Sequence, residues 1–446
     1  MREINDVLNL ASDFIYKSEE GSEVIFNGIL LKNDSGNVVF KGKTASKQKL
    51  PTKERGLVLC GEVDATDITL LNAHFASWGS HGYGSSHITV EIHPAEIIIG
   101  RSIPNGENDL RIMKVSANIQ ALNAMFSTSP LSTSIEFTRD NPTIIEYAHP
   151  EHIDAVDTDG TLSLYQTFGM AYEQDVISLP IYARIDFMFN SPATIRDAVA
   201  KLASARNLFA FFANYYLPLE NITFSDYESK YKEIPDCCVH INHIDKIERP
   251  PKSFAIMTAH FADSFQSVWE KWSTFYSSKY IPTLFYEIIC NRSTRINGFL
   301  NLVQSLEIYS SHYRNDEAQT LAKANGSTGN TRVPLKFRLE GIFLHLKDYF
   351  TLEDAQLKLL SEAIADARNF LTHYDNPKLK QPSVQEISSA GRILRFMLLA
   401  LVYETVGLEG DRIGEVAKYA DHGIIPRDVR VVLHTEPDAV YDSYFG

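Results

Sequence analysis

Leu360-Ser361-Glu362-Ala363-Ile364-Ala365-Asp366-Ala367-Arg368-Asn369-Phe370-Leu371-Thr372-His373 is the stretch that decides how the second half of this chain folds. Leu360, Ala363, Ile364, Ala367 and Leu371, continued by Tyr374, recur at spacings of three and four. That is the stripe of an amphipathic helix with one face in a core. Thr351-x-x-Asp354 resembles the capping box that opens such a helix, and Asp375-Asn376-Pro377 closes it. Successive helical residues turn by about 100°. Asn369 and His373 therefore share a face, while Arg368 stands about 140° round from His373.

Working outward, the helical period extends from about 262 to the C-terminal region. Residues 265–276 read as one amphipathic segment, 282–309 as a long helix kinked near Asn297-Gly298, and 334–349 as a third helix. Asn325-Gly326-Ser327-Thr328-Gly329-Asn330 reads as a loop. Ser383-x-x-Glu386 caps a further helix whose stretch 393–402 is apolar on nearly every side, which predicts a central or intersubunit position.

Before about residue 250 the grammar changes. Residues 24–31 run into the turn signal Asn33-Asp34-Ser35-Gly36-Asn37 and then Val38-Val39-Phe40, which is hairpin punctuation. Further β-rich runs are 56–60, 87–92, 96–99, 133–138, 143–147, 161–168 and 182–189, with turn clusters between them. This spacing predicts an antiparallel sandwich or jelly-roll-like domain. Ser191-Pro192 marks the start of a helix towards Phe212 that would pack across a sheet, with strands at 222–224 and 238–241 completing it. Pro250-Pro251 is the boundary, giving an α+β chain of two domains: a β-rich domain over 1–250 and a helical bundle over 251–446.

The 446 residues are 44% hydrophobic and 22% charged, enough for two or three globular cores. No run approaches the roughly 18 apolar residues of a membrane span, and MREINDVLNLASDF lacks the apolar core of a signal peptide. Four cysteines, Cys60, Cys237, Cys238 and Cys290, make no disulfide framework. The expectation is a cytoplasmic protein. The net charge of −14 argues against passive coating of nucleic acid. The acid is uneven: 20 basic residues face 22 acidic ones from 264 onward, against 22 and 34 before it. The second half can approach a phosphate backbone through a local patch, and an acidic first half could hold RNA off until a partner moves it.

An imidazole titrates near neutrality and can serve as base or acid. A guanidinium makes a two-point contact with phosphate. Metal-free RNA cleavage needs a base on the 2′-hydroxyl, an acid on the leaving oxygen and cations on the phosphorane. One histidine does not easily flank both sides of one phosphate, so the chemistry favours a two-fold dimer with a shared cleft. Lys378, Lys380, Arg392 and Arg395 could form the phosphate-binding patch.

At these residues the helical half resembles the Apea-like HEPN family, whose signature is Arg, a polar residue and then His, here Arg368, Asn369 and His373. Gln304-Ser305-Leu306-Glu307-Ile308-Tyr309 is similar to the helix that carries an acidic residue, here Glu307, towards the site. The β-rich half is similar to the domain that precedes HEPN domains in prokaryotic anti-phage proteins. The resemblance implies an endoribonuclease without cofactor, a homodimer or higher homo-oligomer, cleavage of host RNA such as tRNA in abortive infection, and a β-rich sensor for a phage-derived protein trigger. Catalysis would fall to Arg368, Asn369 and His373, with support from Glu307, Thr372 and Tyr374.

Plainer readings stand beside these. Arg368 and His373 could be a surface arginine and a helix-end histidine facing terminal carbonyls. Tyr374 continues the core stripe. The whole could be a non-catalytic RNA- or protein-binding dimerisation module, or a sugar-binding β domain with a helical tail. Cys237-Cys238-x-His240-x-x-His243 gathers metal-ligand types, but adjacent cysteines lack zinc-knuckle spacing and a strand edge is the better reading. Asp154-x-x-Asp157-x-Asp159-Gly160 lacks the calcium-loop register and reads as a hairpin turn. Residues 79–87 are glycine-rich but carry no P-loop lysine. Phe209-Ala210-Phe211-Phe212 reads as core.

Overall fold

The structure is a computed structural model describing residues 3–17, 22–44, 50, 55–80, 87–106, 110–119, 122–126, 131–134, 144–147, 152–168, 171–173, 176–178, 181–226, 237–241, 256–276, 280–289, 294–326, 333–349, 352–373, 380–408, 410, 413 and 424–435. The chain divides into two compact units: residues 1–123, 128–206 and 217–250, and residues 124–127, 207–216 and 251–446.

The first unit opens with a single helical turn, α1 (Ile4–Val7). Next come β1 (Ala11–Lys17), β2 (Glu23–Lys32), β3 (Val38–Thr44), β4 (Arg55–Val63), β5 (Thr66–Ser80), β6 (Ile88–His93) and β7 (Glu96–Ile99). After these follow β8 (Ile112–Ile119), β9 (Leu131–Ser134), β10 (Ile144–Tyr147), β11 (Ile153–Val156) and β12 (Gly160–Phe168). β13 (Ala171–Glu173), β14 (Val176–Ser178), β15 (Ile181–Ala193), β16 (Leu219–Ser225) and β17 (Cys237–Ile241) complete the strands among the described residues. Pairs β9–β10 and β13–β14 stand as separate ribbons, and the other thirteen strands form one sheet.

Within that sheet β5, β4, β1, β2, β3 and β6 follow in order, and β6 pairs back onto β5, so these six close into a barrel. β7, β17, β16, β8, β15, β12 and β11 continue outward from β5 as an open sheet. The α+β two-part architecture stands, and the β-rich part is a barrel prolonged into a sheet rather than a sandwich. Alternation reports that one strand face is buried but not whether a second sheet or the sheet's own curvature covers it. Two local features permit the closure. β5 bends at Asn72 (φ 51°): before it the second neighbour is β7, after it β6. Asparagine tolerates this left-handed conformation. Gly28 and Gly42 lie opposite each other on β2 and β3, and a Cβ at Gly28 would collide with the Lys41 carbonyl. Phe14, Phe26, Phe40, Leu59, Leu70 and Ile92 fill the interior, Phe14 and Phe40 edge to face at 5.2 Å.

One face of the open sheet is polar and buried. Asp186, 7% exposed, receives Lys114 at 2.7 Å, Arg184 at 3.2 Å and the Tyr165 hydroxyl at 3.0 Å. Arg184 also donates to Asn118 at 3.3 Å and Thr223 at 3.2 Å. Burial alone would raise the Asp186 carboxyl pKa, but Arg184 and Lys114 outweigh it and hold it below the ordinary value. The hairpin expected at Asp154–Gly160 is present between β11 and β12: Asp157 accepts from the backbone of Asp159 and Gly160, and Lys201 bridges Asp157 and Asp159 at 2.7 Å each.

The helix expected from Pro192 begins later, because β15 runs to Ala193 and the Thr194 hydroxyl caps the Asp197 amide at 3.1 Å. This helix, α2 (Ile195–Ala213), contributes its first twelve residues to the first unit and its last seven to the second.

The second unit is helical: α3 (Phe265–Tyr276), α4 (Tyr280–Ile289), α5 (Arg295–Tyr313), α6 (Asn315–Ala324), α7 (Leu335–His345), α8 (Asp354–Thr372), α9 (Val384–Thr405) and α10 (Ile424–Val432). The long helix expected over 282–309 is two helices, since the Thr294 hydroxyl caps a fresh start by accepting from Asn297 N–H at 3.2 Å. Ser383 and Glu386 form the expected capping box of α9. Residues 393–402 of α9 are buried apart from Arg395, packed against α5 and α10. Phe209, Phe211 and Phe212 join Phe261, Phe265, Trp272, Phe285 and Tyr403 in an aromatic core, and the Tyr403 hydroxyl donates to Phe211 O at 2.8 Å. Among the described residues no helix is long and apolar enough to cross a membrane.

Candidate active site

α8 is fixed at its start by the Glu353 N–H donating to Gln356 Oε1 at 3.1 Å, two residues after the expected Thr351 cap; Thr351 lies outside the described residues. Its buried seam is Leu357, Leu360, Ser361, Ile364, Ala365 and Leu371, with Ala363 and Ala367 only half-buried. Facing away from that seam, Glu362, Asp366, Asn369 and His373 line up at offsets of four, three and four. α8 ends at Thr372, whose hydroxyl donates back to Arg368 O at 2.9 Å, which spends it on closing the last turn. His373 is the exposed C-cap residue, and its N–H donates to Asn369 O at 2.9 Å.

Beside α8 lies a cleft of about 310 Å³ lined by Glu307 of α5, by Val333 to Lys336 at the start of α7, and by Ala365, Asp366, Arg368 and Asn369. The structure thus brings Glu307 of α5 beside Arg368 and Asn369, some sixty residues further along the chain. Arg368 Nη1 donates to Asn369 Oδ1 at 3.3 Å, so the asparagine orients the guanidinium. His373 stands one helical turn beyond Asn369, outside the cleft lining. Lys336 and Asp366 were not anticipated as site residues. Lys336 lies 3.4 Å from Glu362 and 5.0 Å above the Phe337 ring. Asp366 was legible as the residue three before Asn369 on the helix; nothing in the sequence points to Lys336.

Of the basic residues expected to bind phosphate, Arg392 grips the buried carboxylate of Asp428 through two nitrogens, Nε at 2.7 Å. Arg395 donates to the Asn214 side chain at 2.6 Å and its carbonyl at 2.9 Å, over the Phe285 ring, and burial lowers its pKa. Both arginines knit helices together. Lys380 is exposed, 3.4 Å from His434. Tyr374 and Lys378 lie outside the described residues.

Cys237, Cys238 and His240 sit on β17, an interior strand between β16 and β7 rather than an edge. Neighbouring strand residues point to opposite faces, so the paired cysteines cannot close on one ion. Cys238 joins the barrel core, where burial pushes its thiol pKa up to about 11. His243 lies outside the described residues, among which no three His, Cys, Asp or Glu side chains are placed to hold a metal ion.

In comparison with known proteins, residues 14–272 match ApeA N-terminal domain 1 and residues 300–412 match Apea-like HEPN. No curated protein and no solved structure matches the chain.

Proposed function

The chain belongs to the ApeA family, an ApeA N-terminal domain 1 joined to an Apea-like HEPN domain, and on that premise we propose that it is a metal-independent endoribonuclease of anti-phage defence. HEPN domains are generally ribonucleases, and the carrying observation is that Arg368, held by Asn369, opens onto a cleft shared with Glu307 while His373 is exposed one turn on. In this reading Arg368 binds the scissile phosphate and stabilises charge on the phosphorane. His373 moves a proton at the 2′-oxygen or the leaving 5′-oxygen, and Asn369 keeps the guanidinium aimed.

A second copy completes the pair of proton-transfer groups. HEPN domains typically dimerise, and the outward side of α8 carries Leu359, 55% exposed, beside the half-buried Ala363 and Phe370. That surface favours burial against a copy of itself. The β-rich half, 1–250, serves as sensor for a phage-derived protein, and the substrate is host RNA, tRNA among it, cut in abortive infection.

The test is purified full-length protein with tRNA in EDTA, wild type beside His373→Ala. Fragments ending in 2′,3′-cyclic phosphate from wild type alone are expected. Undiminished cutting by the variant would sink the assignment. Loss of phage protection by the same variant in a challenged host would link the chemistry to defence.

A further inference from the structure

The lining of the α8 cleft is wrong for a plain phosphate trough. Glu307 and Asp366 line it together with Lys336, Arg368 and the Asn369 amide, so the charged side chains sum to zero. Two carboxylates beside a polyanion repel it unless they accept hydrogen bonds from it, and an ionised carboxylate can only accept. In single-stranded RNA the donors come from ribose hydroxyls and from base edges, which proteins read when the base is unstacked. Guanine is the base with two neighbouring donors, N1–H and the N2 amino group, on one edge and two neighbouring acceptors, O6 and N7, on another. Lys and Arg pair with that acceptor edge. A volume of about 310 Å³ is at the small end of ligand sites, enough for one nucleotide and too small for a duplex. Of the two carboxylates Glu307 is half-buried and Asp366 exposed, so Glu307 is the one shielded enough from water to discriminate.

Resting on the ribonuclease reading, we infer that this cleft is a specificity subsite that receives one guanine beside the bond to be cut, Glu307 accepting from N1–H and the N2 amino group and Lys336 reaching O6 and N7. Arg368 remains on the phosphate. The cleft thereby gives the family's chemistry a sequence preference in this chain.

The experiment uses full-length protein in EDTA and single-stranded oligoribonucleotides that differ at one position, carrying guanosine, inosine, adenosine, cytidine or uridine. Inosine keeps O6 and N7 but lacks the N2 amino group. Wild type should cut beside guanosine roughly tenfold or more faster than beside inosine. Glu307→Gln should bring that ratio close to one, and Lys336→Met should slow guanosine and inosine substrates together relative to uridine. Equal rates at all five bases in wild type would overturn the subsite and leave the ribonuclease reading intact. If wild type cuts no RNA, that reading falls and the subsite is judged by direct titration. Binding of guanosine monophosphate, weakened at least tenfold by Glu307→Gln and by exchange for inosine monophosphate, then supports it; no binding overturns it.

Discussion

The buried polar face of β8, β12, β15 and β16 and the cleft beside α8 both gather charged side chains, and they are arranged to opposite rules. In the sheet, Lys114, Arg184 and Tyr165 converge on one carboxylate that is 7% exposed. In the cleft lining, Lys336 meets Glu362, which lies outside the lining, only at 3.4 Å with both side chains about two-fifths exposed (42% and 39%), and Arg368 donates to the amide of the next residue. A saturated buried network fixes strands in register and has little left to offer a ligand. A half-exposed set with donors and acceptors in reach of a cavity does the reverse. The difference separates architecture from chemistry without appeal to residue type, because both regions draw on Lys, Arg, Asp and Asn.

The largest effect that could break this comparison is His373→Ala. Cleavage should fall by about 10²–10⁴-fold while the urea midpoint is unchanged, since His373 is exposed at a helix end. Next comes Asp186→Ala, with the opposite profile. It strands Lys114 and Arg184 against a buried face, so it should cost about 3–5 kcal/mol of stability, measured by urea unfolding. A His373 variant that unfolds, or an Asp186 variant that leaves the midpoint alone, would erase the distinction. Arg392→Ala is a smaller case. It leaves the carboxylate of Asp428, 2% exposed, without its guanidinium, and should lower stability by about 1–3 kcal/mol. RNA affinity at fixed salt should stay put, because this arginine is already committed to the fold.

The parts of this architecture that were legible in the sequence are those governed by local rules. The Ser383–Glu386 box, the β7 run and the Asp157–Gly160 turn each carry their own chemistry within a few residues. β5 carries no clear strand signal because its alternation is broken at Asn72, where the strand changes neighbours, and that change is a long-range event. The break between α4 and α5 was hidden because Thr294 is an ordinary polar residue until it caps. Of the candidate site, Arg368 and Asn369, with His373 one turn on, could be read from one helix. Lys336 could not, since its place beside them depends on how α7 packs on α8, which no spacing encodes.

The finest test of the comparison is acid stability. The folded-state carboxyl of Asp186 lies below its ordinary value, Arg184 and Lys114 outweighing the upward push of burial. A carboxylate depressed in the folded state contributes stability in full above the unfolded value, about 3.9. It loses that contribution as pH falls through the lower folded value. Wild type should therefore weaken on passing from pH 5 towards pH 2, and Asp186→Asn, weaker at pH 7, should show a shallower decline, with the two curves converging in acid. At pH 7 the matching change beside the cleft, Glu362→Gln on the partner of Lys336, should move the urea midpoint by no more than the ~0–1 kcal/mol of a surface ion pair. Parallel acid limbs for wild type and Asp186→Asn would mean that the sheet's carboxylate is not the charged centre of its network, and the contrast between the two regions would lose its saturated member.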